Sequence, residues 1–329
     1  MADKKVNEFN IEDLDLNEIN ISGKKKSGFV AILGRPNVGK STIMNHLIGM
    51  KIAAVSKRAQ TTRKRIQTVY TDERGQIVFL DTPGLNKAET KLGEYMYDAA
   101  VDTLKTADLI MWIIEPSTFI GTGERIIAEL IGKASKQDSI PVFLVINKND
   151  TADSDGIAKT EETYSSYMKD NEEVSFNCII NVSATESTNL DELMQSIYDV
   201  LPFGPMYFNE DTITDETERE IASEYIREKC LRNLDKEIPH GIAVIIDKMK
   251  TRPDGSLVDI EATIICEKES HKGIVIGKNG AMLKRIGTEA RRDIEKMLDM
   301  RVNLKLWVKV RPGWRDKSIY LNEYGYKDK

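Results

Sequence analysis

The chain has 329 residues, 30% of them charged, with a net charge of −6 and a pI near 5.4. At about 150 residues per domain, that length fits two domains with separate cores. The acidic balance argues against a protein that coats nucleic acid through overall charge, although a whole-chain average can hide a basic face. The three cysteines, Cys178, Cys230 and Cys266, lie far apart without CxxC spacing. They give no sign of a zinc site or a disulfide framework and fit reduced, cytosolic thiols.

Residues 1–27 mix Asp, Glu, Asn and Lys with isolated apolar residues and lack the apolar stretch of a signal peptide. They read as a disordered leader. No run approaches the roughly 18 apolar residues of a membrane span, so the chain is expected to be soluble. From Phe29 to about Val200, short β-branched runs alternate with amphipathic helical stretches. The runs are Val30–Leu33, Ile66–Tyr70, Ile77–Leu80, Leu109–Ile114, Val142–Ile146 and Phe176–Asn181. This alternation predicts an α/β domain over 28–200, with a mostly parallel sheet and helices on both faces. Ligands of such sheets bind at the carboxyl ends of the strands.

Leu201-Pro202-Phe203-Gly204-Pro205 breaks the pattern and marks a linker over 201–208. A smaller α+β domain is expected over 209–316, leaving a tail at 317–329. Its elements are a charged helix at about Asp215–Leu234, strands at Gly241–Met249 and Leu257–Cys266, a glycine loop, a helix at about Met282–Leu298 and a strand at Val302–Val310. Arg252-Pro253-Asp254-Gly255 supplies turn chemistry between the first two strands.

Gly34-Arg35-Pro36-Asn37-Val38-Gly39-Lys40-Ser41 lies between the first strand and a helix. Its glycines let backbone N–H groups face phosphate, Lys40 can reach the β and γ oxygens, and the Ser41 hydroxyl can ligate Mg²⁺. Asp81-Thr82-Pro83-Gly84 ends the third strand; Asp81 can hold Mg²⁺ through a water and the Gly84 N–H can meet the γ-phosphate. Between these loops, Gln60-Thr61-Thr62-Arg63 sits in a basic stretch from Lys57 to Arg65. A threonine there can complete the Mg²⁺ shell: Thr62 is preferred, with Thr61 close behind. Lys40, Thr62 and Gly84 are the candidate catalytic residues.

Asn147-Lys148-Asn149-Asp150 follows the strand Val142–Ile146. A carboxylate at Asp150 can accept two hydrogen bonds from guanine N1–H and its exocyclic amine, a pair adenine cannot offer, so GTP is favoured over ATP. Asn147 would hold the loop, the Lys148 stem would cover the base, and the N–H of Ala184 in Ser183-Ala184 could donate to guanine O6. Leu85 follows Gly84, where Ras-type proteins carry the glutamine that orients the attacking water. Leucine cannot do that, so slow hydrolysis is expected. His46, His240 and His271 are scattered and read as structural.

In the second domain, Ile274-Val275-Ile276-Gly277-Lys278-Asn279-Gly280 matches the GxxG loop of a KH domain, and the element order matches the type II arrangement. Ile274, Val275 and Ile276 would lie under the bases, with Lys278 and Asn279 near phosphates and Lys284 and Arg285 close by. Basic residues dominate from Lys272 to Arg315, although i,i+4 pairs such as Arg291 with Glu295 account for part of the pattern. RNA is the expected ligand; a signalling switch that binds a protein through this module is the alternative. Trp307, on an alternating strand, is expected in the core, with stacking on RNA the other reading for it and for Trp314.

Together, the phosphate loop, QTTR, DTPG, NKND and Ser-Ala resemble bacterial GTPases of the TrmE–Era group, and the KH-like half narrows the resemblance to the Era type, from about Ser27 to the C-terminus. It implies a P-loop GTPase domain followed by a KH type II domain, binding of the 3′ end of 16S rRNA, and a part in 30S subunit maturation. It further implies cycling between GTP and GDP with Mg²⁺, a monomer in the cytoplasm, and loose association with the inner membrane face. In related members an asparagine at the position of Asn37 ligates K⁺ in place of an arginine finger; a loop-capping role for Asn37 is the other reading.

Overall fold

The computed structural model describes residues 25–54, 62–85 and 89–326. Within the first domain, β1 (Lys26–Leu33), α1 (Lys40–Ile48), β2 (Ile66–Asp72), β3 (Gly75–Asp81), α2 (Lys91–Leu104) and β4 (Leu109–Ile114) come first. They are followed by α3 (Thr122–Asp138), β5 (Val142–Ile146), α4 (Ser154–Tyr167), β6 (Cys178–Asn181) and α5 (Leu190–Val200). The six strands stand in the order β2-β3-β1-β4-β5-β6. Only β2 runs antiparallel to its neighbour.

Every residue of β4 and β5 is buried, as expected of parallel strands covered on both faces. Alternation along the strands divides the core. Val30, Ile32 and Met111 pack toward the side holding Ile43 of α1 and Leu193 of α5. Ala31, Leu33 and Trp112 pack toward Leu104 of α2, Ile127 of α3 and Tyr164 of α4. With the strands parallel, the loops after β1, β3, β4, β5 and β6 gather along one edge of the sheet.

The second domain holds α6 (Glu218–Asn233), β7 (Ala243–Thr251), β8 (Val258–Cys266), α7 (Glu269–Ile276), α8 (Ala281–Leu298) and β9 (Val302–Val310), then α9 (Ser318–Glu323). A capping box opens α6: the Thr217 side chain accepts from Glu220 N–H while the Glu220 carboxylate accepts from Thr217 N–H. The sheet order is β7-β8-β9, antiparallel then parallel. Ile260, Ala262 and Ile264 of β8 meet Ile226 and Cys230 of α6 and Ile286, Ala290 and Ile294 of α8. This is the type II KH arrangement.

The two tryptophans fall differently from expectation. Trp314 is fully buried, its indole N–H donating to Gly241 O at 2.9 Å, so it offers no stacking surface. Trp307 is 47% exposed. Its strand is the sheet edge, and Leu304, Leu306 and Val308 take the helix-covered face, which turns Trp307 outward. Alternation along a strand gives two faces but not which of them is covered.

Residues 201–217 are stitched to the first domain. Ser27 N–H donates to Pro202 O (3.0 Å), Gly204 N–H to Lys25 O (3.1 Å), and Val69 N–H of β2 to Ile213 O (2.8 Å). Gln76 Oε1 accepts from the N–H groups of Tyr207 and Phe208, both at 2.9 Å.

Candidate functional site

The loop after β1 is shaped by close approaches. A Cβ on Gly34 would sit 2.4 Å from Ile113 O, and one on Gly39, at φ 100°, would sit 2.1 Å from Asn147 Nδ2. Only glycine fits either place. The loop ends at the N-terminus of α1, a natural anion site. Lys40 is 6% exposed, and its ammonium donates to Gly34 O (3.0 Å) and Arg35 O (3.2 Å). Burial lowers the Lys40 pKa, and the nearby Asp81 carboxylate works against that. Val38 is buried and Asn37 is exposed at φ 71°.

Three oxygens converge beside Lys40. Ser41 Oγ lies 3.1 Å from Thr62 Oγ1 and 3.1 Å from Asp81 Oδ2. Burial pushes the Asp81 carboxyl up to about 6, against the pull of Lys40 and the Ser41 and Thr62 hydroxyls. Its Oδ1 is buried with no hydrogen-bond partner among the described residues. An orphaned carboxylate oxygen beside two hydroxyls is a donor set that fits a hard divalent cation such as Mg²⁺. Gln60 and Thr61 lie outside the described residues.

After Asp81, Thr82 is fully buried and donates its hydroxyl to Ile32 O at 2.6 Å, so its side chain braces β3 to β1 and is not available to a nucleotide. Pro83 follows, and Gly84 lies against the phosphate loop: a Cβ there would be 3.0 Å from Pro36 N. Leu85 is 2% exposed, within the core on the α2–α3 side.

The loop after β5, expected to read the base, is tied to the loop after β1. Asn147 donates from Nδ2 to Val38 O (2.8 Å) and accepts at Oδ1 from Ala184 N–H (3.1 Å). The Ala184 N–H, expected at guanine O6, is thus held by Asn147. Lys148 Nζ donates to Asn37 O at 2.8 Å and to Glu115 at 2.5 Å. Ser183 Oγ donates to Asp150 Oδ1 at 2.6 Å, fixing the carboxylate's orientation.

The contacts made by Arg35, Glu115, Lys51 and Arg63 were not read from the sequence. Arg35 spends its guanidinium on the buried carboxylate of Glu124 and approaches Glu115 at 3.9 Å, so its side chain braces the loop from outside. Glu115 also holds Lys148, joining the two loops; its place directly after β4, on the carboxyl edge, is the signal that could have found it. Lys51 and Arg63 flank the segment 52–62, and both reach into the second domain. Lys51 pairs with Glu228 of α6 (3.0 Å) and Asp293 of α8 (2.6 Å), and the Tyr225 hydroxyl donates to Lys51 O. Arg63, 1% exposed, donates to Ile242 O (2.5 Å), His240 O (2.9 Å) and Pro239 O (3.5 Å), and its guanidinium lies 5.8 Å from the Trp314 ring centroid. In addition, Leu92 and Met96 of α2 pack with Ala243, Ile265, Trp314, Leu321 and Tyr324.

In the second domain, α7 ends at Ile276. Gly277 (φ 73°), Asn279 (φ 52°) and Gly280 (φ 76°) shape the turn into α8, and a Cβ on Gly277 would meet Met282 Cβ at 2.7 Å. Lys278, Asn279, Lys284 and Arg285 are exposed and Ile274 is 50% exposed. Ile276 is half-buried. Val275, however, is fully buried among the α6–α8 core, because the helix turns adjacent residues to different sides; it cannot lie under a base. Arg285 pairs with Glu289 at 3.1 Å and Arg291 with Glu295 at 3.9 Å, so helix pairs do use part of the basic surface.

A family model described as "50S ribosome-binding GTPase" matches residues 29–148 and one for the KH domain matches 237–315. The GTPase Era of Clostridioides difficile (strain 630) is 49% identical over 304 residues, covering 92% of this chain and 99% of that protein. That of Clostridium kluyveri is 50% identical over 302 residues, with 92% and 99% covered. Among solved structures, a variant of Aquifex aeolicus Era bound to GDP·AlF4⁻ superposes with a TM-score of 0.84 at 37% identity, covering 92% of this chain and all of that one. An Era complex with MgGDPNP and nucleotides 1506–1542 of 16S ribosomal RNA gives 0.85, also at 37% identity with 92% and 100% covered.

Proposed function

The chain belongs to the Era family of GTPases, and from that premise we propose that it uses GTP hydrolysis to govern the grip of its KH domain on the single-stranded 3′ end of 16S rRNA during assembly of the 30S subunit. It is an enzyme that converts GTP and water to GDP and phosphate. The phosphates would rest on the N–H groups of Gly34–Ser41, with Lys40 against the β and γ oxygens and Asp150 on the guanine edge. Ser41, Thr62 and Asp81 would hold Mg²⁺, which supplies charge neutralisation at the transferring phosphoryl group. Leu85 is locked in the core and cannot orient water, so turnover should be slow, with the Gly84 N–H at the γ-phosphate. In this reading K⁺ at Asn37 is the activating cation; the expectation is faster hydrolysis in KCl than in NaCl, and equal rates would remove the ion from the mechanism.

One observation carries the link between nucleotide and RNA. The segment that contains Thr62 is anchored to the KH domain at both flanks, by Lys51 and by Arg63. A change at Thr62 as the γ-phosphate comes and goes is therefore one bond away from the 239–242 turn. The chain is proposed to work as a monomer in the cytoplasm; among the described residues no helix is long and apolar enough to cross a membrane.

The test is equilibrium binding of short single-stranded RNAs matching that 3′ end, in the presence of a GTP analogue or GDP. The double variant Gly277→Asp, Gly280→Asp should lose RNA affinity at least about tenfold while keeping its GTP affinity, since carboxylates at a backbone clamp repel phosphate. Unchanged RNA affinity in that variant would undo the assignment.

A further inference from the structure

The outward face of β9 carries Lys305, Trp307 and Lys309 at alternate positions, all exposed. Arg311 continues the row and stands over the Tyr320 ring at 5.9 Å, where Lys317 also approaches at 5.7 Å. Alternate residues on a strand are about 7 Å apart, so the row spreads three cations and an open indole over about 20 Å. Part of this face of the sheet is covered, by Trp314 and α2 against Ala243 and Ile265. The β9 edge is left uncovered. The acids nearby are Glu261, which faces Lys305 in register, Asp247, which accepts from the hydroxyl of Thr263 beside Trp307, and Asp259, which is already bound by Arg252 and Asn303.

We propose that this row is a second RNA-contact surface, on the opposite side of the sheet from the helices that form the Gly277–Gly280 loop. Trp307 stacks on an unpaired base while Lys305 and Lys309 neutralise the flanking phosphates. The proposal rests on the RNA-binding reading above. Three features favour RNA over a protein partner. The aromatic lies between cations, as on a stacking platform for single strands. The row is linear, matching a strand more than a patch. It is also strongly positive in an acidic protein, so a polyanion gains more from it than a neutral surface would. A four-nucleotide cleft at the GxxG loop cannot by itself span both faces, so longer RNA would wrap the β9 edge.

The full-length protein, loaded with GTP analogue, is titrated with a four-nucleotide single strand and with an RNA of about twenty nucleotides that contains it. Trp307→Ala should weaken the long RNA about tenfold and leave the short one unchanged, with Trp307→Phe restoring most of the loss. Lys305→Gln with Lys309→Gln should lower the slope of log affinity against log salt by about 1.4 for the long RNA. If neither changes long-RNA affinity, the face serves something other than RNA and the proposal falls. It falls equally if Trp307→Ala weakens short and long RNA alike, since that reports damage to the domain. If wild-type protein binds neither RNA, the RNA-binding reading itself fails, and this surface fails with it.

Discussion

Asp150→Asn should weaken GTP binding by about three orders of magnitude while allowing xanthosine triphosphate to bind. A carboxylate accepts both the N1–H and the exocyclic amine of guanine. Asparagine turns an N–H donor toward that amine, leaving two donors facing each other with neither paired. Xanthine carries a carbonyl in place of the amine, which restores a donor–acceptor match. The orientation is set beforehand, because Ser183 Oγ holds Asp150 Oδ1 at 2.6 Å and Asn147 ties the loop to Val38 at 2.8 Å. Competition between labelled GTP and XTP at equilibrium measures the switch. A variant that still prefers GTP would remove Asp150 from base recognition.

Arg63→Ala should abolish the dependence of RNA affinity on the bound nucleotide. Coupling between two sites typically amounts to 5- to 150-fold in affinity, and here the ratio of RNA dissociation constants in the GDP and GTP-analogue states should collapse toward one. The cause is local. The guanidinium fills a buried fork of three carbonyls, Pro239, His240 and Ile242, and joins them to the Thr62 segment. Burial lowers its pKa, yet it remains charged at any physiological pH. Truncation should also cost about 2–3 kcal/mol of stability, the worth of a charged hydrogen bond removed from a buried site. Arg63→Lys keeps a charge but not the fork, so it should restore part of the stability and little of the coupling. GTP affinity should move only a few-fold, since Arg63 touches no part of the phosphate cradle. An unchanged nucleotide dependence in a folded Arg63→Ala protein would place the coupling elsewhere, in Lys51 against Glu228 and Asp293 or in α2 with its Leu92 and Met96.

Much of the architecture was legible because its signals are local. Continuous apolar runs such as Leu109–Ile114 announced buried parallel strands, and Gly34–Ser41 and Gly277–Gly280 carried their geometry in a few residues each. What stayed hidden depends on contacts distant in sequence. Arg63 looked like one more cation in a basic stretch, and arginine is ordinarily a surface residue. Nothing local says that another domain's carbonyls will enclose it. Glu124, in the first turn of α3, carried no signal of its own, yet it is buried against Arg35. Val275 and Trp307 were both misplaced for a shared reason: an apolar residue in a regular element reports a face, and only the assembled fold decides which face is wet.

The stitching of residues 201–217 has a consequence for the first domain standing alone. β2 is the outer strand of its sheet, and Ile213 and Thr214 occupy its open side through Val69 N–H and Gln67 O. An open strand edge is a template for pairing with other chains. The connecting segment is thus also a guard against self-association: a GTPase domain trimmed before residue 209 would keep its nucleotide loops and lose the cover that keeps it from aggregating.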